Sequence, residues 1–163
     1  MEPASRPTFG PITTTNVGML RVLNTVIFPV HYNDNFYIDI VETPRGLSKY
    51  GYIDGMAVGA ICCRIETTHQ GRERVYIMTL GVLAAYRQQH VGTALLESVL
   101  EYCAATGMDH IYLHVQTSNA AAIRFYLRLG FKITQTIHNY YKHIEPPDCY
   151  ILAKSFPKSW RSP

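Results

Sequence analysis

The sequence predicts an α/β fold, a mixed central sheet of about seven strands with about four flanking helices, and three observations lead there. Residues 75–116 read as strand, helix, strand, because a β-branched and aromatic run gives way to apolar residues at helical spacing and then to a second apolar run. Such a βαβ unit carries two parallel strands joined by a right-handed crossover. Asp54-Gly55 between two apolar runs is a two-residue hairpin signal, since both central positions need positive φ. Finally, 163 residues at 47% hydrophobic and 17% charged suit one layered domain with a sizeable core.

Residues 1–7 are expected to form a flexible arm, 8–155 the single domain and 156–163 a frayed tail. Thr8 to Ile12 reads as a short strand. Thr15 or Asn16 should cap a helix that reaches Val26 and is stopped by Pro29. A second helix starts near Asn33 or Asp34 and ends before Pro44, with Phe36, Tyr37, Ile40 and Val41 as its apolar side. Lys49 to Ile53 and Met56 to Glu66 are the arms of the hairpin. After a turn at Gln70-Gly71 the strand Arg74 to Leu83 follows. Val91 to Thr106 places Leu95, Leu96, Val99, Leu100 and Cys103 on one helical face and ends at Gly107. Ile111 to Gln116 is a strand, Asn119 to Leu129 a helix closed by Gly130, and Lys132 to Tyr141 and Cys149 to Ser155 are the last strands.

Composition removes several function classes. A net charge of +3, scattered along the chain, is too small for nucleic-acid binding and only mildly favours an anionic ligand. The four cysteines form neither a CxxC pair nor a zinc-ligand pattern and read as buried free thiols, which suits a reducing compartment. No stretch approaches the roughly 20 apolar residues that cross a bilayer, and the N-terminus lacks a signal-peptide core. The expectation is a soluble intracellular protein without metal.

The chemistry concentrates after the first strand of the βαβ unit. Arg87 opens a short turn and Gly92 lies at the helix start, where exposed amides and the helix dipole make an anion site that an Arg reinforces. A phosphorylated cofactor is the expected ligand. Alternation puts Tyr76 and Met78 on one face of their strand and Tyr112, His114 and Gln116 on one face of the other, so Tyr76 and His114 converge if the strands are parallel neighbours. The bland alternative is a core tyrosine and a hydrogen-bonded core histidine. Phe28 to Tyr32 and His138 to Ile144 are aromatic segments with the mixed apolar and hydroxyl character of peptide-groove walls, or else edge packing. His31, His138 and His143 read as surface histidines. Asn119 could serve as an N-cap, and Tyr126 could pack against the sheet.

The blocks FPVHYND, YIMTLGVLAAYR, YLHVQTSNAAAIRFY and NYYKHIEP, in this order, resemble the NatE-type N-terminal acetyltransferases of the GCN5-related N-acetyltransferase (GNAT) family. The resemblance spans about Thr8 to Ser155. It implies a GNAT fold whose parallel strand pair splays into an acetyl-CoA cleft, and acetyl transfer to the α-amine of protein N-termini, mainly Met before an apolar residue, with lysine acetylation secondary. Tyr76 and His114 fall on the family's catalytic pair, which acts through ordered water. Phe28, Pro29, Val30, Tyr32, Met78, Tyr140, Tyr141 and Ile144 fall on its peptide pocket. Leu80, Val82, Arg87, Gln88, Gln89, His90, Val91, Gly92, Thr93, Asn119, Tyr126 and Arg128 are the implied acetyl-CoA residues. Tyr126 could protonate the departing thiolate, given reference pKa values of about 10 and about 8.5. His90 departs from the family, standing where its cofactor loop carries a glycine. The resemblance further implies partnership with the auxiliary and catalytic subunits of NatA at the ribosome, and residence in the cytoplasm and also the nucleus. The competing expectation is a weakly active or inactive subunit that serves NatA as an interaction partner.

Overall fold

A computed structural model describes residues 6–157. The outermost parts of the arm and tail, residues 1–5 and 158–163, lie outside the described residues. The described residues form seven strands and four α-helices: β1 (Thr8–Pro11), α1 (Val17–Ile27), α2 (Asp34–Glu42), β2 (Lys49–Ile53), β3 (Met56–Thr67), β4 (Glu73–Val82), α3 (Val91–Thr106), β5 (His110–Gln116), α4 (Ala120–Arg128), β6 (Lys132–Ile137) and β7 (Cys149–Ser155). Hydrogen bonding orders the strands β1-β2-β3-β4-β5-β7-β6. The sheet is mixed, with β4 and β5 parallel and the β1, β2, β3 and β5, β7, β6 neighbours antiparallel.

The chain divides into two compact units, one of Met1–Ile65 with Ile77–Ala105 and the other of Glu66–Tyr76 with Thr106–Pro163. In the first, α1 and α2 bury Leu20, Leu23, Phe36, Tyr37 and Ile40 against Tyr50, Ala57, Ala60 and Cys62 of β2 and β3. Asn33 caps α2 as expected, its Oδ1 accepting from Phe36 N at 3.1 Å. Asn16 stands at the N-terminal end of α1 but makes no cap bond. Its side chain instead accepts from Thr13 N at 2.8 Å and donates to Pro11 O at 2.9 Å, so it knits the β1–α1 turn. Asp54 and Gly55 take φ of 48° and 81°, the positive values the hairpin requires.

In the second unit, β5 buries Ile111, Leu113 and Val115 and leaves Tyr112, His114 and Gln116 half-exposed, as strand alternation demands. Asn119 caps α4 by accepting from Ala122 N at 3.2 Å, and Gly130 closes it at φ +92°. β6 is shorter than its composition suggests, ending at Ile137 rather than reaching Tyr141. Asn139 turns to φ 57°, Asp148 accepts from Asn139 N at 2.9 Å, and Tyr141 N donates to Pro147 O at 2.9 Å. These bonds replace the ladder and lift Tyr140 and Tyr141 into a connection.

Candidate active site

β4 and β5 form a parallel ladder of two residue pairs, Val75 with Ile111 and Tyr76 with Tyr112. That register brings Tyr76 Oη to 2.8 Å from His114 Nδ1. The two residues expected to converge therefore share a hydrogen bond, in which either atom serves as donor according to the imidazole tautomer. Tyr140 stacks on the imidazole, with centroids 4.6 Å apart and planes within 10°. Tyr141 meets Tyr140 edge-on at 5.0 Å, and burial raises the Tyr141 phenol above its usual pKa. An aromatic face lies against both sides of this region, since Tyr112 stands 4.9 Å from Tyr76 and 6.2 Å from His114.

In the first unit the other aromatic segment joins α1 to α2. Phe28 and Tyr32 meet edge-on at 6.3 Å, Tyr32 stacks on Phe36 at 4.6 Å, and Pro29 and Val30 are exposed. Burial raises the Tyr32 phenol. A Cβ built on Gly81 would stand 2.6 Å from Phe28 Cζ and 2.8 Å from Ile27 Cγ2, so the absence of a side chain there lets the Phe28 ring lie directly on the β4 backbone. Met78 is partly buried against the core and lines a groove of about 310 Å³ with Ile40, Cys63 and Arg64.

The loop from β4 to α3 is shaped by the backbone. A single 3₁₀ turn, Ala84–Tyr86, follows β4. Arg87 Nε then donates to Val82 O at 3.1 Å, pinning the guanidinium back on the strand end. Gln88 and His90 adopt φ of 70° and 63°. Position 90, where the family's loop carries a glycine, thus adopts the left-handed conformation that glycine favours, and histidine occupies it at a cost of about 1–2 kcal/mol. The first helical bond of α3 runs from Ala94 N to His90 O at 2.9 Å, so the amides of Val91, Gly92 and Thr93 precede the ladder and remain for an anion. Leu80 and Val82 lie half-buried at the strand end, and Gln88, Gln89 and His90 are exposed.

Three of the expected cofactor residues belong to α4 and its cap. Asn119 is engaged as the cap, Arg128 is exposed in the last turn, and Tyr126 is 7% exposed with its ring edge-on to Phe131 at 5.3 Å. Packing is thus part of what Tyr126 does. Ile144 is 49% exposed in the β6–β7 connection. His31, His138 and His143 are all exposed, and His138 Nδ1 lies 3.1 Å from Asp148. The four cysteines are buried and free. Burial pushes the Cys62 thiol up to about 12 and Cys63 well above its ordinary value, so neither is a ready nucleophile. Among the described residues no group of three or more His, Cys, Asp or Glu could hold a metal, and no helix is long and apolar enough to cross a membrane.

Sequence reasoning passed over three features here: the Phe28 contact with Gly81, the Tyr140 stack on His114, and the setting of Tyr112. Only Tyr112 had a local signal, its place two residues before His114 on the same strand face.

The strand-turn-helix loop and the fold are those of an acetyltransferase. Residues 18–131 match the acetyltransferase (GNAT) family, and this chain belongs to it. N-alpha-acetyltransferase 50 of Danio rerio is 51% identical over 147 residues, which cover 90% of this chain and 86% of the relative. Probable N-acetyltransferase san of Drosophila melanogaster is 46% identical, covering 90% and 79% of the two chains. Among solved structures, Arabidopsis thaliana Naa50 in complex with the bisubstrate analogue CoA-Ac-MVNAL superposes with a TM-score of 0.85 at 49% identity, covering 92% of this chain and 99% of that one.

Proposed function

We propose that the chain is an N-alpha-acetyltransferase that moves acetyl from acetyl-CoA to the free α-amine of protein N-termini, mainly Met before an apolar residue. The observation that carries the reading is the Tyr76–His114 hydrogen bond of 2.8 Å, in a chain so similar to N-alpha-acetyltransferase 50. Acetyl-CoA supplies the activated thioester. The β4–α3 loop fits a diphosphate through the amides of Val91, Gly92 and Thr93 that precede the helical ladder, and Arg87 brings a positive charge to the same loop.

An α-amine has a reference pKa near 7.7–8.0, so about a tenth or more is already neutral at cellular pH. A modest base suffices for the rest. His114, with a reference value of about 6.5, accepts that proton through water, while Tyr76 positions the water and holds the ring. Tyr76 as primary base would need its phenol, near 10, lowered by several units. In the first unit Phe28, Pro29, Val30, Tyr32 and Met78 offer apolar surface and a hydroxyl suited to a peptide, and in the second Tyr140, Tyr141 and Ile144 do the same. Lysine side chains, near 10.4, are the harder acceptor, so lysine acetylation is secondary. Direct transfer is favoured over an acyl-enzyme because Cys62 and Cys63 are buried with raised thiols.

We also read the protein as a cytoplasmic and nuclear partner of NatA at the ribosome. In support, α1 carries an exposed apolar row of Met19, Val22 and Val26. Co-purification with the NatA auxiliary subunit, lost on Val22→Glu, is the expected result.

The test of the activity is acetylation of a Met-Leu peptide against the same peptide with a blocked N-terminus, with the melting temperature measured with and without acetyl-CoA. Turnover of the free amine alone, with stabilisation by the cofactor, is expected. Stabilisation without turnover on any Met-initiated peptide would favour a cofactor-binding subunit that does not catalyse, a second reading to which the strained His90 lends weight.

A further inference from the structure

We propose that Glu66 and Arg74, acting through Tyr112, are positioning residues that fix the Tyr76–His114 pair and balance its proton affinity; this rests on the acetyltransferase reading above. All five residues belong to the second unit. Glu66, near the end of β3, accepts from Tyr112 Oη at 2.5 Å and from Arg74 Nε at 2.9 Å. The Arg74 guanidinium carbon lies 4.9 Å above the Tyr112 ring. Tyr112 is therefore held at its hydroxyl by a short charge-assisted bond and at its face by a cation. Its ring in turn stands 4.9 Å from Tyr76 and 6.2 Å from His114. Arg74 and Tyr76 lie two residues apart on one face of β4, as do Tyr112 and His114 on β5, so strand alternation builds the row.

The ion pair is partly withdrawn from water, its side chains 36% and 20% exposed. A carboxylate one ring away from His114 favours the imidazolium, and a guanidinium at the same place opposes it. Joined, their fields offset each other, so the ring is clamped without biasing the base. Around His114 in this unit stand Tyr76 from β4, Tyr112 from its own strand, Tyr140 from the β6–β7 connection, and Ile151, its register partner on β7; His110, which is bonded to Asp109, lies beyond the Tyr112 ring. Exposed Lys132 pairs with Ala153 on the far side of β7.

Removing either charge alone should unbalance the field, and in opposite directions. The His114 imidazole is titrated by NMR, its resonance assigned by its loss in His114→Gln, in wild type, Glu66→Gln, Arg74→Gln and Glu66→Asp. At low ionic strength the midpoint is expected to fall by about half a pH unit in Glu66→Gln and to rise by about half a unit in Arg74→Gln. Glu66→Asp, which keeps the charge, should restore the wild-type midpoint. The acid limb of kcat/KM for a Met-Leu peptide should move the same way in each variant. Tyr112→Phe, which keeps the ring but loses the bond to Glu66, should lower kcat about tenfold and leave the Kd for acetyl-CoA unchanged. Midpoints that move together, or that do not move, overturn the proposal. If the wild type turns over no amine at any pH, the acetyltransferase reading fails, and the opposed midpoints alone then decide this inference.

Discussion

The β4–α3 loop and the Tyr76–His114 row solve their problems with different parts of the chain. The loop presents backbone amides, and what matters is φ at Gln88 and His90 and the start of α3. Side-chain identity enters there mainly as strain. The row presents side chains, and what matters is the register of β4 on β5 and the rings that fix each group. A backbone site should tolerate substitution with graded losses, whereas a side-chain site should fail when one atom is removed.

The largest expected effect breaks the second half of that contrast. Tyr76→Phe removes only the hydroxyl that meets His114 at 2.8 Å, and kcat should fall by about 100-fold or more with acetyl-CoA affinity unchanged. Steady-state kinetics with a cofactor titration checks this. Next, Gly81→Ala drives a Cβ to within 2.6 Å of the Phe28 ring, so it should cost about 1–3 kcal/mol of stability and raise the peptide KM, read by denaturant melts and kinetics. A smaller effect sharpens the first half. His90→Gly relieves the positive φ and should tighten acetyl-CoA binding by about 5- to 30-fold, by calorimetry, and unchanged or looser binding counts against strain at this loop. Outside this contrast lies stability at high pH. Burial pushes the Cys62 and Cys103 thiols up to about 12, so the unfolded chain ionises first, near 8.5. The stability they lend is complete below about pH 8.5 and is lost as pH rises toward 12, which melts at pH 7.5 and pH 10 would register as a lower value in the second.

Elements built by local rules were legible in the sequence. Periodicity, Asp54-Gly55, Asn33 and Gly130 placed helices, hairpin and caps close to where they stand. The convergence of Tyr76 and His114 was legible too, because alternation on two parallel strands is itself a geometric statement. What escaped depends on partners distant in sequence. β6 reads as strand through Tyr141 on its own residues, yet Asp148 and Pro147 capture the backbone at Asn139 and Tyr141 and end it. Asn16 carries the chemistry of a cap but finds Thr13 and Pro11 instead. Glu66 gave no local sign of its bond to Tyr112, 46 residues on. The cofactor loop falls between these cases, since a residue pattern locates it but the φ of Gln88 is invisible to that pattern.

The claim on which the rest depends is that His114 takes the amine's proton. The most direct measurement is the rate of acetylation of a Met-Leu peptide by the wild type and by His114→Ala, with acetyl-CoA binding followed in both. The account predicts a loss of about 100- to 10,000-fold in kcat for the variant while it still binds acetyl-CoA as the wild type does. Turnover by His114→Ala within a few-fold of wild type would contradict it and leave the Tyr76–His114 hydrogen bond a feature of packing alone.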